Sequence, residues 1–264
     1  MNSEQLAEIK SWFTGYLQSF APEGETIHPM LELKVRHSER VAEEARGLAA
    51  DLGWPESEQN TAEALGMLHD IGRFPQFAEY GTFSDAVSVD HGECGWSVAE
   101  RAPVLAALPS PERQQILAGI RHHNARAMPD DLPRDDLRFL ELIRDADKLD
   151  VFQVVLEAVR RDGFRDLPEM LPHVTLERSC SPQVIEDVRN RRCCSLNDLR
   201  SLGDFLVMQL SWVSDINTLP ALRRIRDRRI VSQILSQLPQ SPALERLGEA
   251  VNGYLTERLD GAAS

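Results

Sequence analysis

The residues of this sequence best equipped for metal or proton chemistry are its seven histidines, His28, His37, His69, His91, His122, His123 and His173. A lone imidazole on a helix is ordinarily a packing or surface group, so what matters is which rings face inward. On the i, i+3, i+4 rule for a shared helix face, His37 lines up with Val41, Ala45, Leu48 and Leu52. His69 continues the stripe of Leu65 and Leu68, and Asp70 follows it directly. His91 opens a helix whose inner face runs on through Gly95 and Val98. His123 lies on the face of Ile116 and Ile120, whereas His122 lies with Gln115 and Ala118. Asp147 interrupts the stripe Leu140, Ile143, Val151, Val154 and Ala158, and its neighbours Asp145 and Asp150 sit on more mixed faces.

An ionised carboxylate on an apolar stripe is costly unless something compensates it. A salt bridge to Lys or Arg is one solution. Several neutral imidazoles converging on the same point suggest another, metal coordination. A mixed imidazole and carboxylate set suits iron, manganese, zinc, cobalt or nickel better than calcium, and no thiolate is implicated.

The elements that must position these groups are helical, since 3.6-residue periodicity dominates and strand alternation is hard to find. Helices are expected over residues 4–20, 31–52 (stopped by Gly53 and Pro55), 57–71, from Asp90, from Ser110-Pro111, and over 134–162, where Gly163 ends the run. Asp90 and Glu93 resemble a capping-box pair. Residues 73–89 read as irregular, and further helices are expected near 182–192, 196–216, 220–237 and 242–259. The organisation expected is a helix over 1–29 packing on the core, a metal-binding core over 30–163, and a helical region over 164–264 that completes the same unit or forms a lid or dimer element.

In order along the chain, Arg36-His37-Ser38, His69-Asp70-Ile71-Gly72-Arg73, Asp90-His91-Gly92-Glu93, Ile120-Arg121-His122-His123-Asn124 and Asp145-Ala146-Asp147-Lys148-Leu149-Asp150 resemble the HD-domain superfamily of metal-dependent phosphohydrolases, over roughly residues 30–160. The resemblance implies an all-α helical bundle with an additional C-terminal helical region. Its two intermediate histidines point to the two-metal branch: His37, His69, Asp70 and Asp147 around one ion, His91 and His123 on the other, and Asp70 bridging both. Iron or manganese is the first expectation, with zinc, cobalt or nickel as alternatives. The family pattern, like the periodicity, favours His123 over His122.

The implied chemistry is hydrolysis of a phosphate ester or anhydride of a nucleotide or small phosphorylated metabolite. Paired ions about 3.5–4 Å apart clamp a phosphoryl group and acidify water. Asp70, Arg73 and Lys148 are the expected catalytic residues, the two cations offsetting phosphoryl charge. Gln76, Tyr80, Thr82 and Arg121, with Arg73, are candidates for substrate contact, although packing explains them equally well. The same ligand pattern occurs in HD proteins resembling a mixed-valent di-iron oxygenase, and a metal-retaining nucleotide-binding or sensor module is a further alternative. The H-H-E…G-Y-P signature of cyclic-dinucleotide relatives is absent, because Asn124-Ala125-Arg126 follows His123.

Bulk properties narrow the rest. The 264 residues carry 29 Lys and Arg against 42 Asp and Glu, a net charge of −13. That argues against a nucleic-acid surface and makes a local positive site necessary for a phosphorylated ligand. No run approaches the roughly 18 apolar residues of a membrane span, and the N-terminus lacks a signal-peptide pattern. A cytoplasmic protein without membrane association is therefore expected. Cys94, Cys180, Cys193 and Cys194 form no C-x-x-C pair and are expected to be reduced. The expected partner is a small phosphorylated substrate, with a homodimer as one use of the C-terminal helices.

Overall fold

The computed structural model describes residues 1–21, 26–161, 174–192, 194 and 198–261. The fold is all-α. The only strand-like feature among the described residues is an isolated bridge between Thr175 and Ser201. No helix is long and apolar enough to cross a membrane among these residues. The chain divides into two compact units, Met1–Asp150 and Val151–Ser264.

In the first unit, α1 (Ser3–Gln18) starts in a capping box, Asn2 and Gln5 each accepting from the other's backbone N–H at 2.8 and 2.9 Å. It buries Leu6, Ile9 and Phe13. Phe13, Tyr16 and Phe20 surround the fully buried Phe74, with ring centroids 6.0, 6.2 and 5.8 Å away. Helix α2 (Pro29–Asp51) begins with proline at its first turn and stops at Gly53, whose φ of 73° suits a residue without Cβ. Helix α3 (Glu56–Leu68) is buried on every side from Ala64 to Leu68 and packs on α2. At Gly66 the two backbones are so close that a Cβ would lie 2.6 Å from the Cα of Ala42.

Residues 73–80 form a helix, α4 (Arg73–Tyr80), where the sequence reads as irregular. Pro75 sits in its first turn, where no intrahelical N–H is needed, and Gly81 in the left-handed region ends it. The punctuation therefore marks the edges of a short helix rather than its absence. A 3₁₀ turn, Asp85–Val87, leads to α5 (His91–Glu100). Asp90 caps α5 through the backbone N–H groups of Gly92 and Glu93 at 2.9 and 3.0 Å. Glu93 does not complete a capping box, because its carboxylate accepts from Arg121 at 2.8 Å. The unit continues with α6 (Pro103–Ala106), α7 (Ser110–His122) and α8 (Arg134–Arg160), whose residues up to Asp150 belong to it.

The second unit takes the rest of α8 and α9 (Pro182–Arg189), α10 (Leu202–Ser211), α11 (Leu219–Asp227), α12 (Ile230–Leu235) and α13 (Pro242–Asp260). The helix expected over 196–216 starts only at Leu202, after the N-cap Ser201, and the stretch 220–237 is broken by Arg229 at φ 52°. Buried Asp204 ties the start of α9 to α10, accepting from the N–H and Oγ of Ser181 at 2.6 and 2.8 Å and from the N–H of Arg200 at 2.9 Å. Trp212 packs on Phe152, with ring centroids 5.6 Å apart. Cys94 and Cys180 are free thiols. Gly163, His173 and Cys193 lie outside the described residues.

Candidate metal centre

Helix ends and one close backbone approach assemble the cluster. His37 lies on the inner face of α2, one turn from Lys34 and Val41. His69 closes α3 as its C-cap, and Asp70 follows in the tight connection to α4. His91 is the first residue of α5 and His123 the C-cap of α7. Gly72 lets the α3–α4 connection touch the start of α5. A Cβ there would lie 2.1 Å from the His91 carbonyl oxygen and 2.5 Å from the Gly95 nitrogen. Asp147 and Asp150 come from successive turns of α8.

The four imidazoles share one pattern. Each δ-nitrogen meets an acceptor: Asp150 for His37 at 2.7 Å, the Gly66 carbonyl for His69 at 2.8 Å, Asp85 for His91 at 2.6 Å, and the Ile120 carbonyl for His123 at 2.8 Å. The proton of each neutral ring therefore belongs on Nδ1, which turns the Nε2 lone pair inward. The ε-nitrogens face each other in pairs, His37 with His69 at 3.2 Å and His91 with His123 at 3.0 Å. Two lone pairs in that space repel unless a proton or a metal cation lies between them. Adjacent carboxylates favour the species of higher charge.

Asp70 joins the pairs. Its Oδ2 lies 3.6 and 3.7 Å from Nε2 of His37 and His69, and its Oδ1 lies 3.4 and 3.5 Å from Nε2 of His91 and His123. Two buried trios result, His37 with His69 and Asp70, and Asp70 with His91 and His123, the candidate ligand atoms of each within 4.8 Å of one another. Asp147 adds a carboxylate to the first, its Oδ1 3.1 Å from His37 Nε2 and 3.9 Å from His69 Nε2. This donor set fits two transition-metal ions sharing Asp70.

The electrostatics agree with the geometry. Burial opposes an imidazolium at His37, but the Asp147 and Asp150 carboxylates outweigh it and raise its pKa to about 8. Burial prevails at His69 and His91 and lowers both to about 4. Burial also works against the Asp70 carboxylate, yet the Lys34 ammonium, 2.8 Å away, and the neighbouring imidazoles and Arg73 hold it well below the usual range. Asp147 is likewise held low against its burial by the hydrogen bond to His37.

Other residues singled out in the sequence are placed as follows. His122 is only half-buried and stands outside both trios, whereas His123 is buried. Periodicity put Asp147 on the apolar face and Asp145 and Asp150 on mixed ones; this is corrected by burial, because Asp145 and Asp150 are buried and the Asp147 side chain is 28% exposed. Arg73 reaches the cluster, its Nε 3.5 Å from Asp70 Oδ1, while its Nη1 donates to Asp85, Gln76 and the Phe83 carbonyl. Lys148 is half-buried on α8 between Asp147 and Leu149. Gln76 is fully buried, and its amide donates to Asp85, Ser88 and the Val89 carbonyl, which braces the 81–90 connection. The Thr82 hydroxyl accepts from the Ser84 N–H. Tyr80 is exposed and lines a cavity of about 430 Å³ with Glu79, Cys94 and Arg101. Arg121 pairs with Glu93 and stacks over Trp96, 4.6 Å from its ring centroid, and makes no ion pair with the His–Asp cluster.

Two participants, Lys34 and Asp85, were missed by the sequence reading, and a third, Asp150, was weighed and set aside in favour of Asp147. Lys34 carried a signal, being three residues before His37 and so on its face. Asp150 carried the same signal relative to Asp147. Asp85 carried none, since it lies in a turn whose course depends on tertiary packing.

A family model described as HD domain matches residues 35–151. No curated protein and no solved structure matches the chain.

Proposed function

We propose, from the match of residues 35–151 to the HD-domain family model, that the chain is a hydrolase cleaving a phosphate ester or anhydride of a nucleotide or small phosphorylated metabolite, using two divalent transition-metal ions. The observation that carries the reading is the division of Asp70, one oxygen toward His37 and His69 and the other toward His91 and His123. His37, His69, Asp70 and Asp147 would hold one ion, and His91, His123 and Asp70 the other. Such ions supply Lewis acidity toward phosphoryl oxygens and lower the pKa of water.

The chain's own residues contribute charge and order. Lys34 and Arg73 each approach one oxygen of Asp70, at 2.8 and 3.5 Å. They give a chain of net charge −13 a local positive rim where a phosphoryl group would enter. Lys148, next to Asp147, is a further cation for that rim. The hydrogen bonds at the δ-nitrogens hold all four rings with Nε2 turned inward, so little reorganisation accompanies binding. Iron or manganese suits the donor set, with zinc, cobalt and nickel compatible.

The test is metal analysis of the purified protein combined with a phosphate-release screen over nucleotides, sugar phosphates and other small phosphate esters, with and without oxygen. Two ions per chain and oxygen-independent phosphate release, abolished in Asp70→Ala, are expected. Oxygen uptake that tracks substrate loss would replace the reading with an oxygenase. Two bound ions without turnover of any phosphate ester would leave a metal-retaining binding module.

A further inference from the structure

The two halves of the cluster are built on one plan. In the first, His37 Nδ1 donates to Asp150, which also accepts from Arg40 Nη2 at 2.9 Å. In the second, His91 Nδ1 donates to Asp85, which also accepts from Arg73 Nη1 at 2.8 Å. Each half thus has one ring backed by a carboxylate that is itself backed by a guanidinium. The other ring of each half is backed by a carbonyl of its own helix.

The carboxylates are not equal in what they hold. Asp85 Oδ2 receives His91 and, at 3.3 Å, the amide of Asn124, which follows the ligand His123. Its Oδ1 receives Arg73 and, at 2.9 Å, the buried amide of Gln76. Arg73 in turn reaches Asp70 Oδ1, the oxygen facing His91 and His123. One side chain on the 3₁₀ turn between α4 and α5 therefore fixes an imidazole and a guanidinium that both approach Oδ1 of the shared carboxylate.

We propose that Asp85 and Asp150 are matched positioning residues, Asp85 setting occupancy of the half formed by His91, His123 and Asp70, and Asp150 that of the half formed by His37, His69, Asp70 and Asp147. The inference rests on the reading that the cluster takes two ions. An amide at position 85 retains the shape of the side chain. It must, however, turn its NH₂ toward either the His91 N–H or the Arg73 guanidinium, setting donor against donor. Turned toward His91, the amide removes the acceptor that keeps the lone pair of that ring inward; turned toward Arg73, it drives off the guanidinium that reaches Asp70 Oδ1.

The experiment is calorimetric titration of the metal-free full-length protein with Mn²⁺, wild type against Asp85→Asn and Asp150→Asn. Wild type is expected to take up two ions. Asp85→Asn is expected to lose about 10- to 100-fold in affinity at one ion only, and Asp150→Asn to lose as much at the other. Histidine ¹⁵N shifts of metal-free protein give a second readout, with the His91 proton on Nδ1 in wild type and displaced toward Nε2 in Asp85→Asn. Asp85→Ala removes the acceptor without presenting an amide donor and serves if the Asn variant does not fold. Wild type binding fewer than two ions overturns the two-ion reading together with this inference. Two ions in wild type, with both weakened alike or neither weakened in Asp85→Asn, overturns the inference alone.

Discussion

The ammonium of Lys34 sits 2.8 Å from Oδ2 of Asp70, the same carboxylate oxygen that faces His37 and His69. A lysine thus occupies part of the charge-balancing role that a metal cation would take over. In metal-free protein it compensates carboxylates gathered at one place, and in loaded protein it opposes the ion by Coulomb repulsion. Lys34→Met should lower the metal-free stability by about 1–2 kcal/mol, less than a fully buried pair would lose because the lysine is partly exposed. The loaded protein should lose less, so the gap between loaded and metal-free Tm should widen. A gap that narrows would show the lysine to be a partner of the ion rather than its substitute.

The pKa values give the metal-free protein a pH profile with two flanks. His37 is raised from 6.5 to about 8, so its stabilisation is complete below pH 6.5 and is lost as pH rises through about 8. His69 and His91 are lowered to about 4, so folding is progressively penalised as pH falls from 6.5 toward 4, where the unfolded chain takes up protons that the folded chain refuses. The depressed carboxyl of Asp70 adds to the acid flank with the same sign. Metal-free Tm should therefore peak near pH 6.5. Thermal scans between pH 4 and 9 check this, and a Tm that keeps climbing from pH 6.5 to 8 would remove His37 from the account.

Metal uptake at pH 7 should release protons, mainly the one His37 holds. Calorimetry in buffers of different ionisation enthalpy reads this directly. The expected value approaches one proton per chain, and a heat independent of buffer would contradict it.

Gly72→Ala would place a Cβ 2.1 Å from the His91 carbonyl oxygen and 2.9 Å from the Gly95 Cα, both backbone atoms that cannot swing aside. A cost of about 3 kcal/mol is expected from forced separation of the α3–α4 connection and α5, with weakened metal binding because Asp70 and His91 move apart. Gly15→Ala in α1, where nothing lies within 4 Å of the added carbon, should instead stabilise by about 0.5–1 kcal/mol. Urea unfolding of both variants checks the pair of signs.

Asp204→Ala removes the single carboxylate to which Ser181 and the Arg200 N–H donate in the second unit. The cost should be about 3 kcal/mol, since two backbone donors lose a charged acceptor. Chemical denaturation monitored at Trp212, which packs on Phe152, would detect it, and an unchanged midpoint would reject it.

Helical periodicity and order along the chain carried the cluster into view, because a ring at the end of an apolar stripe has few places to point. His37, His69, His91 and His123 were legible for that reason. Asp147 was chosen over Asp150 by an argument about faces that the burial of the two residues reverses. What singles out Asp147 is its distance from His37 Nε2, a tertiary fact. Helix α4 was illegible because its proline and glycine lie inside eight residues, where a first turn and a stop resemble a loop. Asp85 was illegible because it lies in a turn and acquires its partners, apart from those on α4 and α5, from residues such as Asn124 on a distant segment.

Two of the four rings, His69 and His123, are oriented by the carbonyl three residues earlier in their own helix, while His37 and His91 borrow carboxylates from elsewhere. Half of the cage is thereby written into helix termini and insulated from drift in surrounding side chains. Mutational tolerance around the cage should be lopsided, permissive beside His69 and His123 and strict at the residues that serve His37 and His91. A designer transplanting the site would carry the first two rings with their helix ends alone, but would have to bring the other two with their escorts.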